Sequence, residues 1–319
     1  MIETSIIIPT KNGAEEFEAC LAAIYSQKGT GPLEVIVIDS GSTDATLEIA
    51  ERYPARIERI PPETFHHART RNFAASLATG KFLVCLSQDA IPASETWLAA
   101  LIANFKDPSV GAVYGRHLPK SGSSLERQHT LDTIYGNERI VKEPSMREKL
   151  GYRYYHFSDA NSAIRRDVWQ VTRFPDELKF FEDVGIAKRI LDGGWKIVYE
   201  PRASVHHSHD HTVMELFKRY FDIGFAFKHL GIWGDQARSS MLRDVWGLLQ
   251  KKLSQLDRNG NGNRNGHGNG NGHSNGNSHR LGACIHHDLA KSAGLFLGVN
   301  ARYLPLAVKR RLSGYRLFD

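Results

Sequence analysis

The sequence predicts an α/β protein in which helices cover a mainly parallel, Rossmann-like sheet and a helical C-terminal region follows. Short β-branched runs alternate with amphipathic helical patterns over roughly the first third of the chain. The apolar runs are almost continuous, which indicates strands that are buried on both faces. The chain has 319 residues, of which 41% are hydrophobic and 24% charged. This composition fits a large globular core and excludes disordered, collagenous and polytopic membrane chains.

The strands and helices are expected in a regular order. The run Ser5–Pro9 predicts the first strand, and Phe17, Leu21 and Ile24 share one face of the helix after it. The hydroxyl and acid of Ser42–Asp44 are typical of a helix start. Repeated strand-helix units imply right-handed crossovers between parallel strands. The same criteria predict a helix from about Ala68 to Ala78 and strands at Glu34–Asp39, Ile57–Ile60, Lys81–Leu86, Val110–Tyr114, Trp195–Tyr199 and Ala203–His206.

Four segments are expected along the chain. Residues 1–211 form the α/β domain, and residues 212–257 form an amphipathic helical appendage. Residues 258–279 consist mainly of Asn and Gly and contain nothing that could build a core, so they predict a disordered linker. Residues 280–319 combine apolar helical segments with a basic end. This end is either a solvated helix face or an amphipathic anchor to anionic lipid.

The net charge and the cysteine content limit the ligands, the structural sites and the location that we expect for the protein. The formal net charge of +6 fits a phosphate-bearing ligand or an anionic membrane surface and does not require nucleic acid. Cys20, Cys85 and Cys284 lie far apart without CxxC spacing, which excludes a disulfide framework and a structural zinc site. No signal-peptide pattern precedes Ile6–Ile8, and no apolar run approaches the ~20 residues that span a bilayer. We therefore expect a cytoplasmic protein.

Polar loops follow four of the predicted strands. They are Pro9–Gly13, Asp39–Asp44, Ser87–Ala90 and His206–His209. Because ligands of open α/β sheets bind beyond the carboxyl ends of the strands, these loops are the first candidates for a site. Each loop alone also fits ordinary turn chemistry.

Three enzyme classes lack their sequence motifs. No GxGxxG follows the first strand, and the segment before Gly80-Lys81 does not match GxxxxGK[ST]. There is no GxSxG elbow either. A dinucleotide-dependent dehydrogenase, a P-loop kinase and an α/β-hydrolase are therefore disfavoured.

Taken together, the motifs resemble glycosyltransferase family 2, an inverting family with the GT-A nucleotide-sugar fold. The resemblance runs from Ile6 to about His211 and implies an enzyme that moves a sugar from a nucleoside diphosphate to an acceptor hydroxyl. The matching elements occur in the family's order: Pro9–Asn12, Val35–Asp44, Ala68–Asn72, Ala78–Lys81, Ser87–Pro92 and Phe181–Asp183.

The resemblance implies a set of donor-binding residues. Asp39 would accept a hydrogen bond from the nucleotide base, although it also fits a simple turn residue. Arg69 and Arg71 begin a predicted helix, where guanidinium groups and helix N–H groups favour a diphosphate. Either arginine fits a surface ion pair equally well. The full expected set is Pro9, Thr10, Asn12, Asp39, Ser42, Arg69, Arg71, Gln88 and Asp89.

Metal use is suggested by the resemblance and weakened by one departure from it. The family's Asp-x-Asp is reduced here to Ser87-Gln88-Asp89, so that one acid is lost. Mg²⁺ commonly binds through one or two carboxylates plus phosphate, which leaves a divalent cation possible. His207 and His209 match a position where some relatives add an imidazole ligand, and such a ligand suits Mn²⁺ better than Mg²⁺. The alternatives for these histidines are donation to phosphate and capping of the helix after Thr212.

Asp183 is the expected general base, because it matches the position of the family's general base in Phe181-Glu182-Asp183. Glu182 is the second candidate. A carboxylate there would take the proton of the acceptor hydroxyl. Acids are also common at helix starts for electrostatic reasons alone. Trp195 is either a core residue or a stacking surface for sugar.

A narrower resemblance is to bacterial rhamnosyltransferases, through Ser87–Ala90, the His-Ser-His motif and Leu304–Ser313. It implies dTDP-L-rhamnose as donor, a lipid-linked or cell-surface glycan as acceptor, and peripheral contact of the basic end with the inner face of an anionic membrane. A UDP-hexose or UDP-N-acetylhexosamine donor is the alternative within the family. A non-catalytic nucleotide-sugar-binding protein is the alternative outside enzymes, since the Asp-x-Asp is reduced.

Overall fold

The computed structural model describes residues 2–233 and 275–318. The chain divides into two compact units, Met1–Asp210 and His211–Asp319. The boundary expected between residues 211 and 212 lies one residue after this division.

A single mixed sheet forms the centre of the first unit. Its strands are apolar and mostly buried, as their β-branched sequences predict. They are β1 (Thr4–Thr10), β2 (Leu33–Asp39), β3 (Ala55–Arg59), β4 (Phe82–Leu86), β5 (Ile91–Pro92), β6 (Val110–Leu118), β7 (Ile140–Lys142), β8 (Asn161–Arg165) and β9 (Lys196–His206).

The strand order is β3-β2-β1-β4-β8-β6-β9-β5, and β7 pairs with β9. The pairs among β1 to β4 are parallel, as is the β6–β9 pair. β8 runs antiparallel to both β4 and β6, so β6 and β9 point the same way as β1 to β4. The predicted α/β class is confirmed, and the antiparallel strands make the sheet more mixed than its N-terminal part suggests. The ends of β1, β2, β4, β6 and β9 therefore meet at one edge, where β8 begins.

β9 is a single strand, whereas the sequence predicts two strands in this region. Trp195–Tyr199 and Ala203–His206 were expected to be separate, whereas β9 is continuous across Pro201. Its pairing with β6 shifts register between Gly115 and Arg116, which leaves the residues around Pro201 bulged. A bulge accommodates the missing N–H of proline without ending the strand.

Helices flank the sheet of the first unit, and their apolar faces complete its core. Phe17, Leu21 and Ile24 of the first helix are fully buried, as their spacing predicts. The helices are α1 (Ala14–Tyr25), α2 (Thr46–Glu51), α3 (His67–Leu77), α4 (Trp97–Ile102), α5 (Leu125–Ile134), α6 (Arg147–Leu150), α7 (Arg166–Thr172) and α8 (Glu182–Asp192).

The second unit is helical in its described part. It contains α9 (Val213–His229), α10 (Asn275–Val299) and α11 (Leu306–Leu312). Thr212 caps α9 in a reciprocal capping box with Glu215. The pair α9 and α10 packs closely, because a Cβ on Gly298 would lie 2.0 Å from the carbonyl oxygen of Phe221.

The predicted linker and helical appendage fall partly outside the described residues. This holds for residues 234–257 of the appendage and 258–274 of the linker. The last five linker residues, 275–279, are helical, because α10 begins at Asn275. Extending a helix that is already nucleated costs far less than starting one. Among the described helices, none is both long and apolar enough to cross a membrane.

Candidate active site

The loops after β1 and β2 are joined by hydrogen bonds into one surface. The side chain of Asp39 is 2% exposed, and its Oδ2 accepts a hydrogen bond from the backbone N–H of Gly41 at 3.0 Å. Asn12 has φ 48°, a left-handed conformation that asparagine tolerates. Its N–H donates to Ser42 Oγ at 2.9 Å, and its Oδ1 accepts from Thr43 N–H at 2.8 Å. The expected donor-binding residues of these two loops therefore lie together.

β1 supplies the remaining members of this group by register. Pro9 and Thr10 pair with Ile38 and Asp39 at the ends of adjacent parallel strands. Thr10 is buried, and its hydroxyl donates to the carbonyl oxygen of Ile38 at 3.4 Å.

Gln88 joins the loop after β4 to the loop after β1. Its Oε1 accepts from Lys11 N–H at 2.9 Å, and its Nε2 donates to the carbonyl oxygen of Lys11 at 3.1 Å. A Cβ on Gly13 would lie 2.5 Å from Gln88 Oε1, so that glycine permits the close approach. Both ends of the Gln88 amide are thus engaged with backbone.

Asp89 lies in a cluster of possible metal ligands with His207 and His209. Its Oδ1 is 3.5 Å from His207 Nε2, and its Oδ2 is 3.1 Å from His209 Nε2. One ligand atom from each residue lies within 4.8 Å of the other two. Burial raises the pKa of Asp89, but hydrogen bonds from both histidines outweigh it, so the pKa falls far below its usual range. Asp89 is therefore a carboxylate at any physiological pH.

The possible metal ligands of this cluster suit a divalent transition metal. Burial lowers the pKa of His207, although Asp89 acts in the opposite direction. The neutral imidazole that results is the form that binds metals. One carboxylate oxygen with two imidazole nitrogens is a set that suits Mn²⁺ better than Mg²⁺.

Two residues around this cluster were not predicted from the sequence. His117 is the penultimate residue of β6 and is 4% exposed; its Nδ1 lies 3.0 Å from His207 Nδ1. The Nζ of Lys120 lies 2.9 Å from Asp89 Oδ2 and 2.7 Å from Glu16 Oε2. Because β6 and β9 are neighbours in space and remote in sequence, only the sheet topology reveals this proximity.

A second cluster, of carboxylates, forms at the start of α8. Phe181 precedes the helix with φ 71°, in the left-handed region, and this turn places Glu182 and Asp183 in the first helical turn. Arg71 lies against them, with its Nη1 3.1 Å from Glu182 Oε1. The Nε of Arg71 is 2.8 Å from Asp159 Oδ2. Asp159 precedes β8 and was also not predicted from the sequence.

The two acids of α8 have different surroundings. Glu182 is 6% exposed and is paired with Arg71. Asp183 is half-buried, and its Oδ1 accepts from Val184 N–H at 2.7 Å. Burial, followed by the charges of Asp159 and Glu182, raises the pKa of Asp183 well above its usual value. Asp183 thus retains affinity for a proton, as a general base requires.

The surroundings of Arg69, Arg71 and Trp195 distinguish between the roles that the sequence left open for them. Arg71 is buried and paired with carboxylates, whereas Arg69 is exposed on α3. Trp195 precedes β9, while the histidine cluster follows the other end of that strand. A Cβ on Gly111 would lie 2.8 Å from Trp195 Cβ, which supports a packing role for Trp195 rather than sugar stacking at this edge.

Comparison with known proteins identifies the family. Residues 5–172 match the model of glycosyl transferase family 2. The chain belongs to this family. The predicted resemblance is confirmed, and the protein is a glycosyltransferase.

Similar proteins agree with this assignment. The O-antigen chain rhamnosyltransferase WbaN of Salmonella anatum is 37% identical over 223 residues, which cover 69% of this chain and 70% of WbaN. RfbN of Salmonella typhimurium, also an O-antigen chain rhamnosyltransferase, is 35% identical over 226 residues, covering 70% of this chain and 72% of RfbN. The mannosyltransferase PcManGT of Pyrobaculum calidifontis, solved with GDP-Man and Mn²⁺, has a TM-score of 0.61 at 19% identity. That alignment covers 93% of this chain and 86% of PcManGT, and it confirms the GT-A fold.

Proposed function

We propose that this glycosyltransferase moves L-rhamnose from dTDP-L-rhamnose, with inversion, to a hydroxyl of a lipid-linked or cell-surface glycan. The names of the two similar Salmonella proteins, both O-antigen chain rhamnosyltransferases, support rhamnose as the transferred sugar and a glycan chain as the acceptor class. The observation that carries the proposal is the pair of clusters at one edge of the sheet. Asp89 and the histidines suit a diphosphate with its cation, while Asp183 has the elevated pKa of a base.

The donor nucleotide binds on the joined loops after β1 and β2. Asp39 accepts a hydrogen bond from a ring N–H of the base, and Asn12 and Ser42 border the same surface. These loops are held by hydrogen bonds to each other, so little ordering is required when the nucleotide binds. Gln88 acts on this surface indirectly, by holding the backbone of Lys11.

Asp89, His207 and His209 would hold a divalent cation at the donor diphosphate. A cation bound there supplies Lewis-acid stabilisation of the charge that develops on the departing diphosphate. The ionised state of Asp89 and the neutral state of His207 are both those that ligation requires.

Asp183 removes the proton of the acceptor hydroxyl as its oxygen attacks the anomeric carbon. The new C–O bond forms on the face opposite the breaking bond to the diphosphate, which inverts the configuration. Glu182 is less suited to this role because Arg71 already engages its carboxylate. A general base whose pKa is raised toward the working pH transfers protons more effectively and contributes roughly 10²–10⁴ in rate.

The substitution Asp183→Asn tests the catalytic role. Turnover of dTDP-L-rhamnose with a glycan acceptor should fall roughly 10²–10⁴-fold, while binding of dTDP stays within about twofold. Asp192→Asn is the matched control, because Asp192 lies in the last turn of the same helix and pairs with Lys188 at the surface. Undiminished turnover by Asp183→Asn would refute the assignment.

A panel of donors tests the choice of sugar. We expect a selective response to dTDP-L-rhamnose in hydrolysis and thermal-shift measurements with Mn²⁺, Mg²⁺ or chelator. A response to UDP-glucose or UDP-N-acetylglucosamine instead would keep the mechanism and replace the donor. Binding without transfer to any glycan acceptor would support the non-catalytic alternative.

Peripheral membrane contact is proposed for α11. Leu306 and Val308 are 51% and 39% exposed, and they lie beside the basic run Lys309–Arg311. Exposed apolar residues next to cationic ones favour anionic lipid surfaces. Flotation with vesicles containing phosphatidylglycerol should carry the protein, and replacing the three basic residues by glutamine should reduce flotation. Equal flotation of the two proteins would show a solvated face.

A further inference from the structure

Lys120 is a charged residue at the proposed cation site that neither the family motifs nor the proposed mechanism uses. Its side chain is 18% exposed, and its ammonium lies between two carboxylates, 2.9 Å from Asp89 Oδ2 and 2.7 Å from Glu16 Oε2. An ammonium group has three N–H donors, so two are engaged and one remains for a further acceptor.

The backbone fixes this position. Lys120 lies two residues beyond the end of β6, and its N–H donates to Ser208 Oγ at 3.0 Å. Ser208 is itself buried and lies between His207 and His209 in sequence. The lysine and the two histidines are thus held on loops that are joined to each other.

The same carboxylate oxygen faces both Lys120 and His209. Asp89 Oδ2 is 3.1 Å from His209 Nε2 and 2.9 Å from the ammonium, so a cation ligated there would lie close to a positive charge. Two positive charges beside the same carboxylate oxygen repel each other strongly inside a protein. The flexible four-carbon stem of lysine allows the ammonium to turn away from the cation while it remains in the site.

We propose that Lys120 is a built-in counter-charge of the diphosphate site: it neutralises Asp89 while the cation is absent, and its third N–H donates to the donor diphosphate whether or not the cation is bound. This inference rests on the proposed function for the location of the diphosphate. It predicts opposite effects of one substitution on two ligands. Removal of the ammonium relieves repulsion of the cation, and it also removes a donor from the diphosphate.

The test measures binding by the full-length protein without any sugar donor. Mn²⁺ binding is followed by electron paramagnetic resonance, and pyrophosphate binding in excess chelator is followed by calorimetry. Lys120→Gln should bind Mn²⁺ at least about tenfold more tightly and pyrophosphate at least about tenfold more weakly, which corresponds to about 1.4 kcal/mol in each case. Lys120→Arg, which keeps the charge, should resemble the wild type in both. Lys28→Gln, at an exposed surface ion pair with Glu95, is the matched control.

Each other outcome overturns the inference. Weaker binding of both ligands by Lys120→Gln would indicate a purely structural role, and unchanged binding of both would indicate a surface ion pair. A wild type that does not bind pyrophosphate in chelator would remove the diphosphate contact. Because neither probe contains a nucleotide or a sugar, an error in the proposed donor leaves these results interpretable.

Discussion

Replacing Arg71 by methionine tests whether one guanidinium holds the carboxylate cluster together. Its Nε and Nη1 lie 2.8 Å and 3.1 Å from oxygens of Asp159 and Glu182, and the three side chains are at most 10% exposed. Methionine retains an apolar stem and removes the charge, which leaves two buried carboxylates without their cation. Breaking a buried ion pair in this way costs about 3–5 kcal/mol of the free energy of unfolding.

The loss of free energy of unfolding caused by Arg71→Met should increase with pH. Burial raises the pKa of Asp159 to about 7 even beside Arg71, and without Arg71 this pKa rises further. Between these two folded-state pKa values only the variant holds the proton, so the difference in the free energy of unfolding grows by about 1.4 kcal/mol per pH unit. From pH 7 to pH 9 one such proton gives up to roughly 2.7 kcal/mol. At about 2–4 °C per kcal/mol, this lowers the melting temperature by roughly 5–11 °C.

Thermal unfolding followed by circular dichroism at pH 7, 8 and 9 measures this effect. The difference between wild type and Arg71→Met should widen with pH, and the double variant Arg71→Met/Glu182→Gln should recover part of it because one stranded charge is removed. Arg56→Met, at an exposed ion pair with Glu58, should change the melting temperature little at any pH. An Arg71→Met difference that is absent, or equal at all three pH values, would refute the reasoning.

Three further predictions concern the base, the metal ligands and the sheet. Because the pKa of Asp183 is raised, the acidic limb of the pH–rate profile should lie well above pH 4, and a limb at the ordinary carboxyl pKa of about 4 would contradict this. His117→Phe should weaken Mn²⁺ binding about 10–100-fold in a titration, since His117 orients His207, and an unchanged affinity would exclude that role. Gly115→Ala should destabilise the protein by about 1–3 kcal/mol in thermal unfolding, because the new Cβ would lie 1.9 Å from a carbonyl oxygen of β9. Gly136→Ala is its control, as no atom lies within 4 Å of the added Cβ; equal effects of the two substitutions would show that the close approach is unimportant.

The local patterns of the sequence were sufficient for β1 to β4 and β6 and for the loops after β1, β2 and β4, whereas the antiparallel strands β5, β7 and β8 were not predicted. Ile6–Ile8 and Val35–Ile38 are buried because both faces of these strands are covered, which an uninterrupted apolar run signals. Asp39 and Asp89 then follow from the rule that ligands bind beyond the carboxyl ends of parallel strands. This part of the site could therefore be predicted from the positions of the strand ends alone.

The partners of these residues could not be predicted, because they depend on which strands become neighbours. Lys120 and His117 reach Asp89 and His207 through the pairing of β6 with β9, which local sequence patterns do not encode. Asp159 reaches Arg71 because β8 inserts between β4 and β6 in the opposite direction. An expected diphosphate ligand, Arg71, therefore has contacts that single-sequence reasoning could not foresee.

At the proposed cation site one carboxylate ligand is lost and two imidazole ligands are present, and a lysine lies beside them. In Ser87-Gln88-Asp89 the first acid of the family's motif is absent, and Gln88 is used to hold the backbone of Lys11. His207 and His209 bring nitrogen ligands without negative charge. A motif with one carboxylate in place of two needs less positive charge to be neutralised, and the Lys120 ammonium lies 2.9 Å from that carboxylate, Asp89. We therefore expect cation binding here to depend on nitrogen ligation, with Mn²⁺ preferred over Mg²⁺, and a His209→Asp variant to shift that preference toward Mg²⁺ in competition titrations.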